Sequence, residues 1–364
     1  MGANEVPFLA ISDHQTALSK LQQLAASPAQ CESAEMPPTF IAPCPTFFRS
    51  SLRRPQLSAP APPAWPTAAP IIARDSSYHQ LHRPSPGDDF HGIPNPPPGV
   101  PLLLSDLRER LIRQEETIIF ALIERAQFKK NSKIYVPGAF DIPSSPHWSF
   151  SQFLLYELEK VYAKVRRYTS PDEHAFSPPG SLPKPILSDL DYPQTLKKNR
   201  INVNSTIEKV YKDSILPRIC EEGDDQNYGS SAACDVACLQ ALSKRIHYGK
   251  FIAEAKCQAD DSLYRRLAAR RDRTKIWNEL SNISVECVLL KRVENKAKSY
   301  GSDISGDGAR DIFKVEPHRI SEMYRDFIIP LTKEVEVEYI IQRYEGIDYQ
   351  DGEQQIPLKS DANA

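Results

Sequence analysis

The sequence lacks three features that would assign it to common classes of protein. No apolar run approaches the roughly 20 residues needed to span a bilayer, and we expect no membrane association. The formal net charge is −2 over 364 residues, so charge gives no support for a nucleic-acid partner. The short apolar run Val6–Ile11 lies between Glu5 and Asp13 without a cleavage pattern, so a secretory signal is not indicated.

Paired cysteines are also missing. The seven cysteines are an odd number without a CxxC pair, which favours a reducing compartment. Cys234 and Cys238 lie one helical turn apart and could form half of a metal site, but no His or Cys pair completes the ligand set. We interpret them as small apolar residues on a buried helix face, and expect neither a metal nor a cofactor.

Proline separates a leader from the remainder of the chain. Half of the 32 prolines fall between Pro37 and Pro98, where helix interiors are excluded and periodic apolar residues are few. We therefore predict a disordered leader over residues 1–100, with a possible short helix around His14–Ala26. A helical domain is predicted over residues 101–346 and a disordered tail over residues 347–364.

Part of the leader has the composition of an organelle transit peptide. Met36–Arg74 contains no acidic residue and carries four arginines and three serines. This stretch starts well inside the chain, behind four acidic residues, and we favour a linker over a transit peptide.

Helical periodicity begins at Leu102. Ser105 is predicted as the N-cap of a first helix that extends through Gln127, with Asp106 in its first turn. Its core-facing stripe consists of Leu104, Leu107, Leu111, Ile118 and Leu122.

Further helices follow. A second helix is predicted over Phe150–Tyr168, with four residues facing inward: Phe153, Leu158, Val161 and Val165. Others are predicted near 204–220, 233–259, 262–270, 273–280, 283–300 and 317–345. In Lys333–Tyr339, Glu and Val alternate as in a strand, but the flanking residues have a helical period. The predicted fold class is all-α.

Three pairs of polar residues are spaced so that each pair lies on one helix face. Arg245 and Lys256 are separated by eleven residues, which at roughly 100° per residue leaves them about 20° from eclipsed. The other two pairs are at i, i+4: Asn282 with Glu286, and Thr332 with Glu336. Ordinary solvated charges on amphipathic helices would give the same pattern, and spacing cannot show that the helices converge.

Four long blocks carry a resemblance to a known family. They are DLRERLIRQEETIIFALIERAQF, RRYTSPDEHAF, NYGSSAACDVACLQALSKRIHYGKFIAEAK and IIPLTKEVEVEYIIQR. In order and over residues 102–345, they are similar to the all-helical chorismate mutases of plants and fungi. The resemblance implies an enzyme that rearranges chorismate to prephenate in phenylalanine and tyrosine biosynthesis.

The resemblance also implies roles for seven residues. Arg108 and Arg245 match the arginines that hold the two substrate carboxylates. Lys256 matches the lysine that reaches a carboxylate and the ether oxygen. The remaining four match the pair around the ring hydroxyl, Asn282 and Glu286, and the wall facing the ether oxygen, Thr332 and Glu336.

These residue types suit a one-step rearrangement without a covalent intermediate. Two guanidinium groups can hold a flexible dianion in its compact conformer, and a lysine supplies a positive charge beside the ether oxygen. Glu336 can donate a hydrogen bond only when protonated, so the site must raise its pKa.

A regulatory site is also implied. Family members are often homodimers that bind aromatic amino acids between subunits, with tryptophan activating and tyrosine or phenylalanine inhibiting. The matching positions are Arg166, Arg167, Asn227, Gly229 and Ser230, although NYGSS could simply cap a helix.

The sequence departs from regulated fungal relatives at two places. Ala233 stands where they carry a threonine that, with one of the paired arginines, recognises the phenol hydroxyl of tyrosine. Ser177–Pro178 replaces Phe–Pro, which we interpret as a loop change without catalytic meaning.

Two other functions were considered. An inactive helical scaffold is the alternative function, although all seven expected residue types are present. A secreted enzyme that acts on a host would need a signal peptide, and the sequence shows none. We expect a cytoplasmic enzyme, with the plastid as the alternative.

Overall fold

The structure, a computed structural model, describes residues 94, 96, 100–143, 145–178, 180–301 and 313–345. Within these ranges the chain forms helices and no strand, which confirms the all-α prediction. No helix among the described residues is long and apolar enough to cross a membrane. The predicted leader up to residue 93, including the helix around His14–Ala26, and the tail from residue 346 lie outside the described part of the chain.

Within the described ranges, nine α-helical elements follow one another, with a short 3-10 helix, Ser132–Tyr135, between the first two. Two of them each contain one π-helical turn: α3 comprises Asn204–Val210, Tyr211–Ile215 and Leu216–Ile219, and α9 comprises Pro317–Met323, Tyr324–Ile328 and Ile329–Arg343. The others are α1 Leu104–Arg125, α2 Phe150–Lys164, α4 Tyr228–His247, α5 Gly249–Ala259, α6 Asp261–Ala269, α7 Arg273–Leu280 and α8 Ile283–Gly301. Lys333–Tyr339 is helical, as its flanking residues predict.

The predicted start of α1 was wrong. The helix begins one residue before Ser105, and the hydroxyl of Ser105 donates to Asp106 Oδ1 instead of capping the helix. Leu103 occupies the N-cap position without a side-chain cap. The apolar stripe holds, since Leu107, Leu111, Ile118 and Leu122 are all buried.

The prediction for α2 was wrong in its end and in part of its buried face. The helix ends at Lys164, because Arg166 and Tyr168 adopt left-handed backbone angles, with φ of 69° and 68°. Val161 and Val165 are exposed, while the buried side chains are Ser151, Leu155, Glu159 and Ala163. Because buried Glu159 lies on the core side of α2, the buried face of this helix differs from the face that was predicted from Val161 and Val165.

Buried Glu159 also explains the loop change at Ser177. Its carboxylate accepts from the backbone N–H of Phe176 at 2.7 Å and of Ser177 at 2.8 Å, and from the Ser177 hydroxyl. Gln240 Nε2 of α4 donates to the same carboxylate at 3.1 Å. The serine therefore supplies one more donor to a buried charge that must be satisfied.

Long helix pairs form the core. α1 packs along α4, the last segment of α9 packs along α5, and the first segment of α9 packs on α8. Between α1 and α4, Arg125 Nε and Asp235 Oδ1 form a buried ion pair at 2.6 Å. Tyr135 and Tyr211 each donate to Asp235 at 2.7 Å, so this buried charge is fully hydrogen-bonded. These contacts bring the end of α4 against α9, where the predicted catalytic residues lie.

Candidate active site

Arg245 lies in the last turn of α4 and is only 3% exposed. Its Nη1 donates to Thr332 Oγ1 of α9 at 3.3 Å, and its Nε has no hydrogen-bond partner among the described residues. Burial lowers the pKa of the guanidinium, because low-dielectric surroundings disfavour the charged form. A buried cation with an unused donor is an arrangement suited to an anionic ligand.

Lys256 and Glu336 face each other across the α5–α9 contact. Lys256 Nζ donates to Leu280 O at 2.9 Å and lies 3.9 Å from Glu336 Oε2. Thr332, one turn before Glu336, donates its hydroxyl to Ile328 O at 2.6 Å while accepting from Arg245. The pair Thr332 and Glu336 therefore does not lie on a solvated face: Thr332 is 4% exposed and Glu336 is 5% exposed.

Burial raises the pKa of Glu336 to about 7, well above the ordinary value of a glutamate. The charges of Lys256, Lys333 and Arg245 lower it in part, and Glu286 raises it. The carboxyl group is therefore protonated over the acidic and near-neutral range and can donate a hydrogen bond there, as the predicted role requires.

Asn282 and Glu286 lie at the start of α8, on the more exposed rim. Asn282 Oδ1 accepts from Val285 N at 3.1 Å, so the asparagine caps the helix, and its own N–H donates to Glu286 Oε1 at 3.3 Å. Glu286 Oε1 also pairs with Lys333 Nζ of α9 at 2.7 Å. The pair is thus joined to α9 beside Thr332.

Arg108 is not connected to the other six by any hydrogen bond or ion pair that the described residues show. It is exposed in the second turn of α1. Glu115, seven residues further along the same helix face, is buried, and its charge acts on Arg245. Arg108 therefore lies two turns before Glu115 on about the same face of α1.

Sequence reasoning missed a cluster of charges behind the site. Glu115 is fully buried, and Arg292 of α8 binds its carboxylate through two donors at 3.0 and 2.7 Å. Lys296 Nζ lies 3.4 Å from the same carboxylate. Tyr324, also fully buried, has no partner for its hydroxyl among the described residues. A glutamate within the apolar stripe of α1 was the available signal, because Glu115 lies between Leu111 and Ile118 on the buried face.

Gly249 permits the close approach of α5 and α9. A Cβ atom at this position would lie 2.9 Å from Thr332 O, 3.1 Å from Thr332 Cγ2 and 3.3 Å from Glu336 Cγ. Any larger residue would push against the backbone that carries two of the predicted catalytic side chains.

The five predicted effector residues form two separate groups within the chain. Arg166 donates to Ser188 O, and Arg167 donates to Glu173 at 3.2 and 3.3 Å, near the end of α2. Asn227, Gly229 and Ser230 lie exposed at the start of α4, with Asn227 in the N-cap position but without a side-chain cap. No hydrogen bond or ion pair among the described residues joins the two groups.

A cavity of about 550 Å³ lies against α2 and α3, and none of the predicted catalytic or effector residues lines it. Its walls include Trp148, Tyr156 and Phe176. Within the described residues no group of three or more His, Cys, Asp and Glu side chains could hold a metal ion, and Cys238 is buried.

Comparisons with known proteins identify the family. The family "Chorismate mutase type II" matches residues 227–337. The chorismate mutase of Emericella nidulans is 46% identical over 255 residues, which cover 68% of this chain and 94% of that protein. The crystal structure of the Candida albicans chorismate mutase Aro7p in complex with L-Trp is 43% identical, with a TM-score of 0.63 over 67% of this chain and 92% of that one.

A second structure, AtCM1 with tyrosine bound in its allosteric site, is 43% identical, with a TM-score of 0.61 over 66% of this chain and 96% of that one. Nearly the whole length of each of these three proteins is therefore matched by the helical part of this chain. The four quoted blocks and the all-helical fold agree with that similarity, and the chain belongs to the chorismate mutase family.

Proposed function

We propose that residues 101–346 form a chorismate mutase, which converts chorismate to prephenate on the path to phenylalanine and tyrosine. The observation that carries this proposal is the buried guanidinium of Arg245, whose Nε has no partner, next to a lysine and a glutamate of raised pKa. A dianionic substrate would supply the missing acceptor.

We propose a role for each of these residues. Arg245 binds one carboxylate from inside the protein, and Arg108 closes on the other from the exposed face of α1. Lys256 and protonated Glu336 then direct donors toward the ether oxygen as negative charge grows on it. Asn282 and Glu286 bind the ring hydroxyl, and Thr332 holds Arg245 in place. Holding the substrate in its compact conformer supplies the remainder of the rate enhancement.

A direct assay tests this function. The full chain should convert chorismate to prephenate, and Arg108→Ala should lower kcat/KM by at least about a hundredfold, because a bidentate contact to a carboxylate is lost. Arg113→Ala is the matched control, since Arg113 is exposed on another face of α1 and should leave kcat/KM unchanged. A folded wild-type chain without activity would favour the alternative, an inactive helical scaffold.

The state of Glu336 predicts a pH dependence. Because the protonated form is the donor and the pKa lies at about 7, kcat should be high below pH 7 and fall as the pH rises through it. Glu336→Gln keeps a permanent N–H donor and should flatten this alkaline limb. Glu338→Gln, on the same helix but paired with Arg273, should leave the limb in place. An unchanged limb in Glu336→Gln would show that another group titrates.

We also propose allosteric control by aromatic amino acids in a homodimer. The two groups of effector residues would then meet across the subunit interface, with the end of α2 facing the start of α4 of the partner. Four large apolar residues near the end of α2 are exposed and support an interface there: Val161, Val165, Ile186 and Leu187. They are close together, because Ile186 N donates to Lys164 O at 2.8 Å.

The alanine at position 233 leads us to expect weaker binding of one of the two effectors. Ala233 is exposed on α4 one turn after Gly229, so both face the proposed effector position. Without a hydroxyl at this position, tyrosine should lose a hydrogen bond of roughly 0.5–1.5 kcal/mol, or about two- to tenfold in affinity. Tryptophan should therefore activate normally, while tyrosine inhibits weakly.

Ala233→Thr tests this prediction. The variant should strengthen inhibition by tyrosine and leave activation by tryptophan largely unchanged in dose–response curves, with sedimentation reporting a dimer for both proteins. Inhibition of the natural chain by micromolar tyrosine would contradict the role given to Ala233. A monomeric chain that still responds to both ligands would contradict the intersubunit site.

We place the enzyme in the cytoplasm, with the plastid as the alternative. The stretch that matches the fungal protein of Emericella nidulans covers 94% of that protein and 68% of this chain.

A further inference from the structure

Lys333 is a buried cation between the two sides of the proposed active site. Its side chain is 6% exposed, although it follows Thr332 directly on α9. Nζ lies 2.7 Å from Glu286 Oε1 and donates to Ser281 Oγ at 2.8 Å. Ser281 follows the end of α7 and Glu286 lies in the first turn of α8, so the Lys333 side chain links α9 to the start of α8.

These contacts fix the carboxylate of Glu286. Oε1 accepts from Lys333 and, at 3.3 Å, from the backbone N–H of Asn282. The described residues place no hydrogen bond on Oε2, so this oxygen stays available for a ligand. Glu286 is 20% exposed, and without the ammonium group its carboxylate would turn toward water on the open rim.

Lys333 also acts on Glu336, one helical turn further along α9. Its positive charge lowers the pKa of Glu336 and so opposes the effect of burial. The titratable and charged groups that act on Glu336 come from five helices: Arg245 of α4, Lys256 of α5, Tyr264 of α6, Glu286 of α8 and Lys333 of α9 itself. Only Lys333 among them contacts Glu286 as well.

We propose that Lys333 is a positioning residue for this reaction, which orients Glu286 toward the substrate's ring hydroxyl and couples its orientation to the protonation of Glu336. The inference rests on the proposed chorismate mutase activity. It adds an eighth residue to the site, one that acts through Glu286 and Glu336 and does not touch the reacting atoms.

A purely structural link between helices is the competing explanation, and Arg273 provides the control for it. Arg273 of α7 also bridges to α9, through Glu334 and Glu338 at 2.8 Å each, but on the outer surface, where it is 49% exposed. Removing Arg273 therefore weakens a neighbouring link to α9, from α7, without altering the site.

The experiment compares Lys333→Met, Lys333→Arg and Arg273→Met by steady-state kinetics across pH. Lys333→Met should raise KM for chorismate about tenfold, since a charge-assisted contact to Glu286 is lost. It should also move the alkaline limb of kcat to higher pH, because Glu336 loses a positive neighbour. Lys333→Arg keeps the positive charge, so the alkaline limb of kcat should stay at its wild-type pH. Arg273→Met should leave both KM and the position of this limb at their wild-type values.

Lys333→Gln covers the case in which Lys333→Met does not fold. It retains an N–H donor without the charge, so the limb should move to higher pH with a smaller rise in KM. Wild-type KM and an unmoved limb in a folded uncharged variant would overturn the proposal. Equal changes in Arg273→Met would overturn it as well. An inactive wild-type chain would instead refute the proposed function, which keeps the two failures distinct.

Discussion

The site depends on one buried guanidinium, that of Arg245, which no residue in the described part of the chain neutralises by a direct ion pair. Arg245 lies in the last turn of α4; among the described residues it makes a single hydrogen bond, to Thr332, and its Nε donor is unused. Removing such a charged group from water costs free energy, so the positions of its charged neighbours matter. Glu115 acts on Arg245 from α1 but is itself held by Arg292 and Lys296 of α8, so it does not occupy the donor.

Backbone packing brings the other groups to this cation. The Arg125–Asp235 pair fixes α1 on α4, and the missing side chain of Gly249 allows α5 to approach α9 closely. Lys256 then reaches Glu336, which burial keeps protonated up to about pH 7. Three cations, Arg108, Arg245 and Lys256, together with the neutral acid Glu336 suit a dianion whose negative charge moves during the reaction.

The sequence predicted the buried stripe of α1 and the bounds of α8 well, and it predicted the buried face poorly where polar residues take buried positions. On α2, buried Glu159 and Ser151 take the place of apolar residues, and the valines point outward. The spacing of Thr332 with Glu336 indicated a shared face but could not distinguish a solvated face from a buried one.

Helical periodicity could not predict which helices come together at the site. Arg245 and Lys256 share a face only if α4 and α5 are continuous, yet Tyr248 separates the two helices. The residues of the site were instead identified through the family resemblance. Glu115 and Lys333 were missed because a charged residue on a helix reveals its burial only when its partners from other helices are known.

Replacing Arg245 by methionine tests most directly whether this guanidinium is kept for substrate. An apolar side chain of similar length removes a buried charge that has no carboxylate partner, so the thermal midpoint should stay the same or rise. In the same variant kcat/KM for chorismate should fall by more than about a hundredfold, since the inner carboxylate contact is gone. A midpoint lower by several degrees, or prephenate formation near the wild-type rate, would show that Arg245 serves the fold and not the substrate.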